Sequence, residues 1–392
     1  MTTSRIRMSS DDRRKVVAPR FNPQRLDTAR RRRGWSRVKL AQEIEISSRM
    51  IRAYEHEGRH PTVETLDRMV DRLGFPRPFF EADDLEEIPA VGTSFRALSN
   101  LTAKERNQAT AAGQIATAIS AWIDERFTLP EPDVPSFPEV DPETASLAVR
   151  QHWGIGEKSV GHMLRMAEVH GVRVFSLPRE CDSVDAFSFK LGRVPFMFLN
   201  TQKSAERLRM DVAHELAHLV LHWAGKSQGR TEEHEAAQFA SAFLMPRASV
   251  ISHAPRNGTI KDIVAAKHRW RVSAAALTYR MHKVGMLSDW RYRKTFAYLS
   301  RRGYRTSEPN PIAPESSDVL EQVYRLLRED GVSRAEMASQ LLIPPAELSS
   351  LTFGLEAMPE DPAATAAAKP AWEGELAATH AAIDRRRRFR AV

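Results

Sequence analysis

The chain is 392 residues long with 42% apolar content, enough for two or three globular domains of roughly 100–200 residues each. A formal net charge of +8 and an isoelectric point near 9.7 favour an anionic partner. The single cysteine, Cys181, excludes an intrachain disulfide framework and every all-cysteine zinc site, and there is no apolar signal stretch or run of about 18 apolar residues. A cytoplasmic protein without a membrane span is therefore expected.

Taken in chain order, residues 1–17 are polar and charged and are expected to be disordered. Within 18–82, apolar residues recur at helical spacing from Asn22 to Phe80, broken by Gly34, Gly58, Pro61 and Gly74, which predicts a bundle of four or five short helices. The run from Leu40 to Glu55 has helix-turn-helix spacing: Leu40, Ala41, Ile46, Ile51 and Tyr54 at packed positions, Ser47 as cap, and Ser48, Arg49 and Arg52 on the exposed face of the second helix. Arginines there can pair with guanine edges or phosphates, and Arg30 to Arg33 and Arg37 are further phosphate candidates. Glu45 stands at the turn position where positive φ favours glycine. From Asn22 to Phe80, including Tyr54-Glu55, Gly58 and Pro61-Thr62, the segment resembles the XRE (lambda-repressor-like) helix-turn-helix family. That resemblance implies double-stranded DNA as a partner, with Arg37, Ser47, Ser48, Arg49 and Arg52 nearest to it. The competing reading is a protein-binding module with the same packing.

Residues 83–139 read as a linker: a helix from Ala103 to Phe127, then Pro130, Pro132, Pro135 and Pro138 in a stretch too stiff and donor-poor for regular structure, setting the reach between two units. In 140–305 a helix over Val160–His170 precedes short β-branched and aromatic runs at Val172–Leu177, Ala186–Leu191 and Val194–Leu199, which suit strands. Helices resume over Ser204–Trp223 and Glu232–Phe243. The fold class expected is mainly α with α+β, the sheet-bearing domain lying between the N-terminal bundle and a small helical unit at 306–356. Gly331 to Leu348 in that unit faintly echoes the helix-turn-helix pattern and reads as a packing or interaction module, not a second DNA reader. The tail 357–392 reads as flexible and basic, ending in Arg385, Arg386, Arg387, Arg388, Phe389 and Arg390.

The chemistry concentrates in Asp211-Val-Ala-His-Glu-Leu-Ala-His-Leu-Val-Leu-His222. Residues four apart share a helix face, so His214 and His218 can direct two imidazoles at one metal ion, with Glu215 beside them as a base. The flanking apolar residues would bury these histidines, which then need a partner. Downstream, Glu233 falls near the apolar stripe of the next helix and is the expected third ligand, with Glu232 as the alternative, while Glu235 points away. His222 lies two turns beyond His214, too far for three histidines to meet one ion, and reads as structural.

Val194–Asn200, Arg209–His218 and Glu233–Pro246, with its Leu-Met-Pro ending, resemble the ImmA/IrrE metallopeptidases over roughly 140–305. Members often carry Asn where this chain has Ala237 and Gly where it has Ala217. The resemblance implies a zincin-like, gluzincin-type endopeptidase, with zinc on His214, His218 and Glu233 and with Glu215 as catalytic base. It also implies a protein substrate, a repressor or related regulator, in a stress, phage or mobile-element response; a homodimer is a compatible state. The alternative is a non-catalytic transcription regulator whose zinc domain senses a ligand or holds a partner.

Overall fold

The computed structural model describes residues 18, 20–89, 102–223, 229–256, 259–304, 306–355 and 384–385. The expectations for 1–17 and for most of the tail, including Arg386–Arg388, lie outside the described residues.

Four helices form the N-terminal bundle: α1 (Pro23–Arg32), α2 (Arg37–Glu43), α3 (Ser48–His56) and α4 (Val63–Leu73). Each begins at a side-chain cap: Asn22 accepts from the backbone of Gln24 and Arg25, and Ser36, Ser47 and Thr62 accept from Lys39, Met50 and Thr65. Leu26, Leu40, Ile44, Ile51, Leu66 and Met69 are fully buried between the helices. Between α2 and α3 the chain turns at Glu45, whose φ of 56° is the left-handed conformation anticipated there.

The long α5 (Ala103–Asp124) starts in a Thr102–Glu105 capping box and packs along α1. The sheet-bearing domain then follows, with α6 (Pro142–His152), α7 (Met163–Val169) and three strands, β1 (Arg173–Ser176), β2 (Ala186–Leu191) and β3 (Val194–Leu199). Strand β3 is central, parallel to β1 and antiparallel to β2. Period-two alternation gives this sheet two unlike faces. Phe175, Phe187, Phe189, Phe196 and Phe198 point to one side, where they join the core shared with α5 and the N-terminal bundle. Val174, Ala186, Met197 and Leu199 point to the other, into the core beneath α8 (Ala205–Ala217) and α9 (Arg230–Leu244). Helices α10 (Arg247–His253), α11 (Ile260–Ala266), α12 (Ala274–Lys283) and α13 (Asp289–Arg301) complete the domain.

The proline-rich stretch does not act as a spacer. It lacks regular structure, as its prolines dictate, but it is docked as a strap: the Asp133 amide donates to His170 O (2.9 Å) and the Phe137 amide to Val220 O (2.8 Å). Asp133 also bridges His152 Nε2 (2.6 Å) and His170 Nδ1 (3.1 Å). At the α7–β1 turn, Gly171 has φ of 79°, and a Cβ there would lie 2.4 Å from Glu131 O, so glycine alone lets the strap approach. With α5 packed on α1 and the strap tied to α6 and α7, the two halves are held in contact rather than by reach.

The C-terminal unit comprises α14 (Asp318–Glu329), α15 (Arg334–Gln340) and α16 (Pro345–Leu351). Its faint sequence echo is a real structural one. Ser333 caps α15 as Ser36 caps α2, and Leu342 takes a φ of 58° at the same offset from that cap as Glu45 from Ser36. Helix α16 nonetheless turns inward. Leu348 and Leu351 are buried, and the 3%-exposed Glu347 takes Arg32 Nε (2.7 Å) and Arg33 Nη1 (2.5 Å) from the end of α1. On the same helix Ser350 O accepts from Ser176 Oγ of β1 (2.8 Å). Two further carboxylates fasten the unit to the sheet-bearing domain: Glu315 accepts the Met163 and Leu164 amides at the start of α7, and Glu168 at its end accepts from Ser317 and the Asp318 amide.

Candidate metal centre and DNA-binding face

Helix α8 runs from its Ser204 cap through His214 and Glu215 and passes at His218 into a five-residue π-helical turn, His218–His222. Helix α9 crosses it closely, burying Ala236, Phe239, Ala240 and Phe243, and this crossing sets Glu233 opposite the histidines. His214 Nε2 and His218 Nε2 lie 3.2 Å apart, and Glu233 Oε2 and Oε1 lie 3.4 Å and 3.6 Å from them respectively. One donor atom from each residue falls within a 4.8 Å group, which Glu232 does not join. Tetrahedral bonds of about 2.0–2.1 Å to one ion place neighbouring ligand atoms about 3.3 Å apart, so two imidazole nitrogens 3.2 Å apart with the Glu233 carboxylate 3.4–3.6 Å from them are spaced as three donors that could hold one small cation.

Burial disfavours the charged form of His214, but Glu233, Glu215 and Asp211 outweigh it and raise its pKa. For His218 burial dominates, reinforced by His214 and His222, and its pKa falls well below the ordinary value. Burial pushes Asp211, one turn before His214, up to about 7 against the opposing charge of Arg207. Glu215 is buried at 2% exposure, and Ser188 Oγ donates to its Oε2 at 2.7 Å. Ser188 escaped sequence reading, although strand alternation puts it on the same face as Ala186, toward α8. His222 and Glu235, read as structural and as pointing away, meet each other: His222 Nε2 lies 3.0 Å from Glu235 Oε2, and His222 Nδ1 lies 3.0 Å from His218 Nδ1.

Beside the three converging residues opens a cleft of about 530 Å³. Its walls are Arg207, Met210 and Asp211 from α8, Ala237 and Ser241 from α9, Tyr279 from α12 and Phe296 from α13. Ala237, the departure from the family's usual Asn, thus stands on the wall of the cleft.

In the N-terminal bundle, Ser47, Ser48, Arg49 and Arg52 are exposed along α3. The Ser47 hydroxyl is engaged as the helix cap, and Arg52 faces Glu57 at 3.6 Å, an exposed pair worth little in water. Arg37 Nε is held at 2.5 Å by the buried Glu55, which Arg30 Nε grips from the other side at 2.6 Å. Of Arg30 to Arg33, expected as phosphate contacts, the structure turns Arg30 and Arg32 into the interior, which removes those two from the expectation, and leaves Arg31 and Arg33 partly exposed but paired. Arg30 and Arg32 are buried on Glu55 and Glu347, Arg33 shares Glu347, and Arg31 pairs with Asp27.

Residues 26–80 match the helix-turn-helix family, and residues 167–282 match the Peptidase M78 family, described as an IrrE N-terminal-like domain. The chain joins a helix-turn-helix domain to an IrrE-like peptidase domain. No curated protein matches the chain. The peptidase family makes this a metallopeptidase-type domain, and all three converging residues lie inside the matched region. No helix of the described residues is long and apolar enough to cross a membrane.

Proposed function

We propose that the chain is a DNA-binding regulator with a zinc-dependent endopeptidase activity, acting on a repressor or related regulatory protein. The observation that carries this reading is the convergence of His214, His218 and Glu233, with His214 and Glu233 lining an open cleft and the buried Glu215, held by Ser188, next to His214 in the chain. A site that only stabilises the fold closes its coordination with protein side chains and has no use for a carboxylate base at its rim. His214, His218 and Glu233 would hold zinc, whose Lewis acidity activates water near neutral pH and polarises a carbonyl.

Glu215 takes the proton of the attacking water on a carboxylate oxygen and delivers it to the leaving amine as the peptide bond breaks. Ser188, donating to Oε2, fixes that carboxylate in one orientation. The cleft accommodates an extended stretch of the protein substrate along α8 and α9, with Tyr279 and Phe296 opposite. Arg49 and Arg52 read or clamp duplex DNA, with Ser47 and Ser48 at the α3 N-terminus and Arg37 beside them.

The decisive experiment incubates the purified chain, with and without zinc, with regulatory proteins encoded beside it. Cleavage that requires zinc and disappears in Glu215→Gln is expected. Zinc-dependent binding of such a protein without cleavage, unaltered in Glu215→Gln, would replace the enzyme by a sensor.

A further inference from the structure

We propose that Glu235 and His222 form a hydrogen-bonded relay that sets the tautomer and ring orientation of His218 as a metal ligand. The proposal rests on the metal-site reading above and concerns residues outside it. A neutral imidazole has one lone pair and one N–H, on opposite nitrogens. To present Nε2 toward His214 and Glu233, His218 must carry its proton on Nδ1. That nitrogen lies 3.0 Å from His222 Nδ1, so His218 donates and His222 accepts. The His222 proton is then on Nε2, which lies 3.0 Å from Glu235 Oε2, and an ionised carboxylate can only accept. Every link has the same polarity. Reversing the chain would demand a protonated Glu235 and would place a proton on the nitrogen that faces the site.

The backbone is built to make this contact. Residues 218–222 leave the α-helix for a π-helical turn, and the carbonyl of Val220 within it accepts the Phe137 amide from the strap (2.8 Å). The rings of His218 and His222 are 5.1 Å apart and inclined at 55°, so their nitrogens meet edge to edge instead of the rings lying parallel. His222 is largely buried at the junction of α8 and α9, while Glu235 reaches it from the half-exposed side of α9. Glu235 is therefore assigned a positioning role through His222, and Glu233, two residues earlier on α9, to the site itself.

The test measures zinc affinity of the full-length chain by competition with a chromogenic chelator. His222→Leu and Glu235→Ala are expected to weaken zinc binding roughly 10–100-fold, as loss of outer hydrogen-bond partners does at histidine sites. Glu235→Gln keeps an acceptor for His222 Nε2–H, and His222→Asn keeps an acceptor near the position of Nδ1, so each should recover affinity relative to Ala or Leu, which a merely space-filling role would not produce. Far-ultraviolet circular dichroism of the metal-free chains separates folding from affinity; should His222→Leu fail to fold, the Glu235 pair decides alone, since that side chain is 40% exposed. Zinc affinity in Glu235→Ala within about twofold of the parent, far short of the usual loss, overturns the relay. A parent chain that binds no zinc refutes the metal-site reading itself, whereas a parent that binds and variants that match it refute the relay alone.

Discussion

At the scale of single residues, the metal reading makes a direct prediction. The chain should carry about one zinc, lost in His214→Ala or His218→Ala, reduced in Glu233→Ala and retained in Glu215→Gln, as read by elemental analysis after dialysis. Retention in Glu233→Ala with loss in Glu232→Ala would move the third ligand. The helix-turn-helix turn supplies an independent prediction about stability. Glu45 holds φ of 56°, which costs an L-residue roughly 1–2 kcal/mol, while glycine loses roughly 0.5–1 kcal/mol of extra entropy on folding. Glu45→Gly should therefore stabilise the chain by about 0.5–1 kcal/mol, visible as a higher urea midpoint with unchanged slope. The His-Glu-x-x-His residues and Glu45 could be singled out from sequence alone, because a motif and a turn are local patterns.

At the scale of elements, α3 and the sheet behave differently. The exposed face of α3 follows from its amphipathic spacing, so Arg49→Ala or Arg52→Ala is expected to cost about 1–3 kcal/mol in specific DNA affinity if the side chain meets a base edge. A binding titration on operator and scrambled duplexes checks this, and equal weak binding to both, unaffected by either change, would return the bundle to the protein-interaction class. In the sheet, alternation was legible but its consequence was not: one face of β2 sends phenylalanines to the N-terminal core while the other sends Ser188 to Glu215. Only the crossing of α8 over that face makes the serine part of the site. Likewise Glu235 lies off the apolar stripe of α9, yet the π-helical turn swings His222 around to meet it.

At the scale of the whole molecule, two buried carboxylates govern how its parts hold together. Glu347 neutralises Arg32 and Arg33, so Glu347→Ala leaves the buried Arg32 guanidinium only the exposed Glu180 carboxylate at 3.4 Å and should destabilise the chain by up to about 3 kcal/mol. The double replacement Arg32→Leu with Glu347→Leu should recover most of that loss in thermal unfolding, since the buried pair itself adds little over apolar packing. Glu168, at the junction of α7 and α14, is pushed up to about 8 by burial, with the charge of Asp318 adding to it against hydrogen bonds from Ser317, Val319 and Asp318. Its protonated form is favoured in the folded chain. Its contribution is therefore fully present below about pH 4.5 and fades as pH rises through about 8, so Glu168→Gln should flatten the pH dependence of stability across that window. A wild-type profile as flat as the variant's would remove Glu168 from that role.

What the sequence determined by itself was everything carried by short-range pattern. The helix-turn-helix spacing, the three strands, the pair of histidines one turn apart and the glutamate near the stripe of the following helix all depend on periods of 2 and about 3.6 residues. The tertiary structure decided which distant groups meet. The end of α1 reads as a run of phosphate candidates, Arg30 to Arg33, until Glu55 is placed against Arg30 and Glu347 against Arg32 and Arg33. The prolines from Pro130 to Pro138 read as a spacer because they cannot form regular structure, whereas Gly171 and the carbonyls of His170 and Val220 turn the same stiffness into a docked strap. No local period encodes a partner far away in the chain. It is the packing of α5 between the bundle and the sheet, and of α16 against both, that selects those partners and joins the molecule's two domains in one core.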